Sequence, residues 1–248
     1  MFHSPAARFV PCPLKGTASH ANRVPNGTVR IESRPVDQAV IADEEFTPRQ
    51  QAVLDCALQL LVGGGEKGLT TAGLARAANC SKESIYKWFG DRDGLLAAMI
   101  AHQASKVRAG ADNAHAMDSG QFRSYLTDFA HDLLDVLAGD VSLALNRLAI
   151  GQASHSDSRL GRLMVERGRR RIEARAMALL EAGKRRGHIR YEDREAVYHT
   201  FYGLIVRDLH VRMLLGEAGA RRPDQFAAMA EEAVGQFFVL FGTETPAG

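Results

Sequence analysis

The stretch LTTAGLARAANCSKESIYKWFGDRDGLL, residues 69–96, constrains this chain more than any other. Two helical periods follow each other with only a few residues between them, which leaves room for a tight turn and nothing larger. In the first, Leu74, Ala77 and Ala78 share a face, introduced by Thr70 and Thr71, whose hydroxyls suit an N-cap. Asn79 tolerates left-handed backbone and should stop that helix. Ser81 caps the next one, where Ile85 and Phe89 lie four residues apart on an inward face with Trp88 beside them. The opposite side carries Glu83 and Lys87, flanked by Ser84 and Tyr86, with Lys82 at the N-terminal end. Such side chains hydrogen-bond base edges or phosphates, and a helix of this width fits the major groove of B-DNA. Asp91 then caps a further helix, whose first-turn amides and Arg92 make a phosphate site.

A polar helix face is also what solvent alone selects, and helix-turn-helix shapes occur in proteins that bind no nucleic acid. Spacing by itself leaves both readings open. The residues add more, because the stretch resembles the DNA-binding domain of the TetR family of bacterial transcription regulators. Domains of that type begin with an amphipathic helix, matched by TPRQQAVLDCALQLLVGGGEKG, and continue into a helix-turn-helix ending in Ser-Lys-x-x-Leu-Tyr-x-x-Phe. Here that ending is Ser81, Lys82, Ile85, Tyr86 and Phe89. The resemblance implies phosphate contacts from Tyr86 and Arg92, and base reading by Lys82, Glu83, Ser84 and Lys87. With the capping residues Thr70, Thr71 and Ser81, these form the candidate DNA-binding set. The chain departs from the pattern at Asn79 in place of the turn glycine, at Cys80, and at Ala72, which removes one possible backbone contact.

Charge bears on this reading. The 248 residues carry 31 Lys and Arg against 29 Asp and Glu, so bulk charge supplies no basic footprint and DNA binding must come from a local surface. Residues 46–106 hold seven basic and five acidic side chains and residues 107–248 hold nineteen of each, leaving the excess on the N-terminal side. Cys12, Cys56 and Cys80 form no CxxC pair and are too spread for a zinc site, so they read as reduced thiols, the last two in small core positions. No apolar run approaches a membrane span, FFVLF near the C-terminus being the longest candidate. The N-terminus lacks a continuous hydrophobic region of the signal-peptide kind, and a cytoplasmic protein is expected.

Three segments are predicted. Residues 1–45 hold five of the eight prolines and no helical period, and read as a disordered extension. Its first 31 residues carry Arg8, Lys15, Arg23 and Arg30 with no acid, which suits either a basic arm on DNA or a floppy tail, or a start codon assigned too far upstream. Residues 46–108 form the helix-turn-helix domain. It opens on Thr47, Pro48 and Gln50 as a capping box, buries Val53, Ala57 and Leu61, and ends its first helix at Gly63, Gly64 and Gly65. After Asp91, Leu95, Leu96, Met99 and Ile100 begin a helix running through Lys106.

Residues 109–243 show no strand signal. Helices are expected from Gln121 to Leu137, from Val141 to Ile150, from about Ser158 to Gly183, from Asp193 through EAVYHTFYGLIVRDLHVRMLLG, and from Pro223 to near Phe241. The fold class is all-α: a three-helix DNA-binding domain followed by a helical bundle. The stretch from RLAIGQASHSDSRL to VRMLLGE, residues 147–217, in particular resembles the ligand-binding domain of the AefR-like branch of TetR regulators.

One recognition helix reads only a few base pairs, so a homodimer on a palindromic double-stranded DNA operator is expected. The dimer surface is predicted on the last two helices, through Phe201, Leu204, Ile205, Leu209 and Met213 and through Phe226, Met229, Val234, Phe237 and Phe238; core burial within one chain is the competing account. Regulators of this kind release DNA when a small organic effector enters the second domain. Candidate lining residues are the polar or aromatic ones that interrupt apolar faces: Phe122, Tyr125, Phe129, Asn146, Met164, Tyr198, Tyr202 and Arg207. Arg207 beside Asp208 suits an anionic effector or a local ion pair. The run Arg167, Arg169, Arg170 and Arg171 points around its helix and reads as solvated. No Gly-rich phosphate loop, GxSxG or HExxH is present, and His199 and His210 stand eleven apart on one predicted helix. No enzyme, cofactor or metal site is expected. The alternative kept is a helical protein-interaction module without DNA binding.

Overall fold

Side-chain caps place the helices. In a computed structural model that describes residues 46–108, 117–153 and 159–243, α1 runs Pro48–Gly68 and opens on the predicted capping box: the Thr47 amide donates to Gln50 Oε1 at 2.8 Å and the Gln50 amide to Thr47 Oγ1 at 3.3 Å. The three glycines do not end α1 outright; the backbone leaves helical geometry at Gly65, φ +59°, and the helical trace continues to Gly68. Thr70 caps α2, Thr71–Ala77, through its hydroxyl on the Gly73 amide at 3.0 Å. Asn79 turns the chain at φ +48°. Ser81 caps α3, Lys82–Phe89, by accepting from the Ser84 amide at 3.0 Å, and Asp91 caps α4, Arg92–Ser105, by accepting from the Gly94 amide at 2.8 Å.

Beyond α4 come α5 (Ser119–Ala138), whose Asp118–Gln121 capping box is complete, and α6 (Asp140–Gln152). The predicted charged helix is three pieces in one trace: α7 (Arg159–Leu163), a π-helical stretch Met164–Arg169, and α8 (Arg170–Arg185). Along it Arg169 and Arg170 are exposed, but Arg171 is buried, so the arginine run is not uniformly solvated as expected. Asp193 caps α9 (Arg194–Val206) through the Glu195 and Ala196 amides. The single helix expected through Leu214 is broken. Arg207 adopts φ +48°, ending α9, and α10 (Leu209–Leu214) starts afresh, so His199 and His210 sit on different helices. A 3₁₀ turn at Pro223–Gln225 leads into α11 (Phe226–Phe241). Among the described residues there is no strand, only an isolated antiparallel bridge between Ile189 and Gly242.

Two apolar cores result. One joins α5, α8, α9, α10 and α11 around Phe122, Phe129, Phe201 and Phe237. The other lies under α1 to α4 around Val53, Leu54, Leu74, Ile85 and Met99, and it takes in Leu145 and Ala149 of α6 and Leu160 of α7. Packing therefore crosses the boundary drawn at residue 108, because the first four helices bury their remaining apolar surface on the second segment. The expectation for residues 1–45 lies outside the described residues.

Candidate functional site

Helix α3 presents two opposite faces. Ile85 and Phe89 are buried in the second core, while Ser81, Lys82, Glu83, Tyr86 and Lys87 are exposed, Tyr86 by 56%. Ser84 is half-buried, its hydroxyl 3.1 Å from that of Ser81. The Glu83 carboxylate is held below its ordinary range by hydrogen bonds, first from its own backbone amide and then from Ser81, at the positive end of the helix. The turn that fixes α3 against α2 has a support from further away: Arg49 Nη2 of α1 donates to the carbonyls of Ala78 and Asn79 at 2.9 and 2.7 Å. No local pattern announces that clamp.

Beside α3, Thr70 and Arg92 meet at a shallow depression that Lys67 and Leu69 complete, and Arg92 Nη1 donates to the Leu69 carbonyl at 3.2 Å. Two basic side chains and a helix-capping hydroxyl at one place suit an anion such as a backbone phosphate. Lys67 was not among the predicted residues; it follows the kink at Gly65, which carries it round to Arg92. Thr71 lies half-buried at the start of α2.

A second feature lies further along α4. A cavity of about 250 Å³ opens between α4, α5, α6, the π-helical stretch, α8, α9 and α10. Its wall is largely apolar, with Leu133, Leu137, Leu145 and Ile172 among its residues. Of the eight predicted lining residues, Asn146, Met164, Tyr198 and Tyr202 border it. The other four do not. Phe122 is core, stacked on His188 and set edge-on to Phe238; Phe129 stacks on Phe201; Tyr125 packs partly buried against the same core. Arg207 reaches across to α11 and pairs with Glu232 at 3.0 Å, not with Asp208.

The cavity's polar side chains include three that sequence reasoning missed: Gln103 of α4, Ser142 of α6 and His210 of α10. Gln103 interrupts the buried row Met99, Ile100, Ala104, which is the same signal used to choose residues in the second segment, but α4 had been assigned to the DNA-binding part. Burial raises the Tyr198 and Tyr202 phenols and lowers the His210 imidazole, so all three stay uncharged at neutral pH. Arg169 stands exposed at the edge with its guanidinium over the Tyr202 ring, 5.8 Å from the centroid.

Comparison with known proteins converges on one family. Residues 53–99 match the model for bacterial regulatory proteins of the tetR family, and residues 124–243 match the C-terminal domain of AefR-like transcriptional repressors. The crystal structure of a TetR transcriptional regulator from Agrobacterium tumefaciens is 65% identical over 80% of this chain and 97% of its own, with a TM-score of 0.69. The chain belongs to the TetR family. It is thus related to transcriptional regulators and not to enzymes, and its all-α architecture is that of the family. Among other TetR-family and HTH-type relatives, the regulator AlkX of Mycobacterium tuberculosis is 30% identical over 111 residues, 40% of this chain. The uncharacterized regulator YvkB of Bacillus subtilis is 36% identical over 58 residues, 23% of this chain. The matched segments span 51% and 31% of those two relatives.

Proposed function

We propose that the protein is a homodimeric repressor that binds a palindromic operator through α3 and lets go when a small organic molecule fills the cavity on α4. Residues 46–108 are the DNA-reading part and residues 109–243 the effector and dimer part, acting in the cytoplasm. Among the described residues no helix is long and apolar enough to cross a membrane.

The observation that carries the reading is the two-faced α3, buried on Ile85 and Phe89 and open on Lys82, Glu83, Tyr86 and Lys87. Lys82, Glu83, Ser84 and Lys87 are placed to read base edges in the major groove. Tyr86, Arg92, Thr70 and Thr71 flank them and serve the phosphates, with Ser81 fixing the start of the helix. Helix α4 supports the effector role: Arg92 begins it at the DNA side, and its later residues Ile100, Gln103 and Ala104 border the cavity. A ligand that prefers one position of α4 shifts the spacing of two recognition helices, and DNA and ligand then oppose each other by equal coupling.

Charge reversal by Lys87→Glu tests it. The variant is expected to keep its helical circular dichroism and its oligomeric state while losing at least tenfold in affinity for operator DNA. Unchanged DNA affinity in a folded variant would remove α3 from the interface.

A further inference from the structure

Three buried polar side-chain atoms on residues lining one cavity have no hydrogen-bond partner among the described residues: Gln103 Oε1, Tyr198 Oη and His210 Nε2. Gln103 is 8% exposed and Tyr198 1%. A buried polar group left unpaired costs free energy that packing alone does not return, so three in one place mark a site shaped for something that pairs with them. The neighbouring Asn146 amide nitrogen is already engaged, donating to the Ser142 carbonyl at 2.8 Å and lying 3.4 Å from its hydroxyl.

Charge narrows the ligand further. Among the described residues no carboxylate lines the cavity, although Glu173 acts on the Tyr198 phenol from nearby, and the one charged side chain on the wall is Arg169 at the exposed edge, already over Tyr202. A cation would find no counter-charge among the described wall residues, and an anion carried inside would be desolvated against neutral groups. At about 250 Å³ the space lies just under the range of roughly 300–1,000 Å³ that takes drug-sized ligands.

Resting on the effector reading above, we propose that the ligand is a small uncharged molecule with an apolar or aromatic body and a hydroxyl, which donates to Gln103 Oε1 and accepts from Tyr198 Oη. A hydroxyl is the simplest group that offers a donor and an acceptor at once. His210, neutral through burial, supplies a third partner to a second polar atom of the ligand.

The test uses the full chain and three probes of matched shape: 4-ethylphenol, ethylbenzene and 4-ethylbenzoate, titrated by calorimetry into the wild type and into Tyr198→Phe and Gln103→Leu. The phenol is expected to bind best, and each substitution to weaken it about tenfold while leaving ethylbenzene unchanged. Tyr198→Phe is expected to leave the melting temperature of the ligand-free protein unchanged or raised, because it removes an unpaired polar atom; a merely structural tyrosine would lower it. Tighter binding of the benzoate, equal binding of phenol and ethylbenzene, or no binding of the phenol overturns the proposal. Operator binding is measured on the same samples without probe. Protein that takes up the phenol and binds no DNA contradicts the regulator reading and leaves the ligand class standing.

Discussion

Asp91 shows how one side chain serves fold and site together. It ends the recognition turn, caps α4 through the Gly94 amide, and so sets where Arg92 stands beside Thr70 and Lys67. That amide is the first cause holding its carboxyl below the ordinary value of 3.8. A carboxyl with a depressed folded pKa adds stability above its unfolded value and loses it as pH falls through the folded value. Against Asp91→Asn, which keeps a capping oxygen without titrating, the wild type is therefore expected to hold a constant stability margin above about pH 5 and to lose it at lower pH. Urea unfolding across pH reads the margin directly; a margin unchanged down to acid would show that the carboxylate charge contributes nothing. Such caps were legible beforehand at Thr47, Thr70, Ser81, Asp91 and Asp193, because each bonds its own next turn. Arg49 was not, since its partners lie 29 and 30 residues away.

At the scale of elements, α4 runs from the proposed DNA-binding face to the cavity. Its start is packed against the end of α3 without a gap: a Cβ placed on Gly94 would lie 1.9 Å from the Phe89 carbonyl oxygen. Gly94→Ala is expected to destabilise the protein by about 1–3 kcal/mol and to loosen the α3–α4 junction. Denaturation midpoints with operator affinity measured alongside check this, and a neutral substitution would mean that the junction yields easily. Its far end is fixed too, by Arg175 Nη1 on the Ala104 carbonyl at 2.6 Å and by Arg108, which grips the buried Asp132 with two side-chain hydrogen bonds of 2.8 and 2.9 Å. Helix periods were readable from the sequence, but the breaks inside them were not. Arg207 takes a positive-φ conformation that arginine does not advertise, with its side chain paired to Glu232 on a distant helix, and the π-helical stretch at Met164–Arg169 packs closely on α4, where a Cβ on Gly168 would come 3.2 Å from Ile100 Cγ2. Four of the eight residues expected at the cavity lie elsewhere for the same reason: which apolar face closes a core and which borders a space depends on helices far apart in sequence.

The proposed homodimer presents two recognition helices at once, and the apolar runs expected on its surface are largely spent on the chain's own core. Phe201, Ile205, Leu209, Met213, Phe226, Val234 and Phe237 are buried within the chain, with Leu204, Met229 and Phe238 partly so. The large apolar side chains left in solvent here are Val211 of α10, Leu215 at its C-cap, and Val239 and Leu240 of α11, with Leu215 82% and Val239 86% exposed. Apolar side chains of this size left in solvent suit a second copy of the chain. The pair Val239→Glu and Leu240→Glu is expected to yield a folded monomer by sedimentation velocity with at least tenfold weaker operator binding. A dimer that survives both substitutions would place the interface elsewhere.

The central claim is tested most directly by fluorescence anisotropy of the full-length protein on the DNA upstream of its own gene, against a scrambled duplex, across a salt series. Selective binding is expected, with log affinity falling linearly in log salt by about 0.9 for each phosphate neutralised, and with Arg92→Ala reducing that slope by about one. Equal weak binding to both duplexes, or a slope that Arg92→Ala and Lys87→Glu leave untouched, would contradict sequence-specific recognition of that DNA through α3 and the Thr70–Arg92 depression.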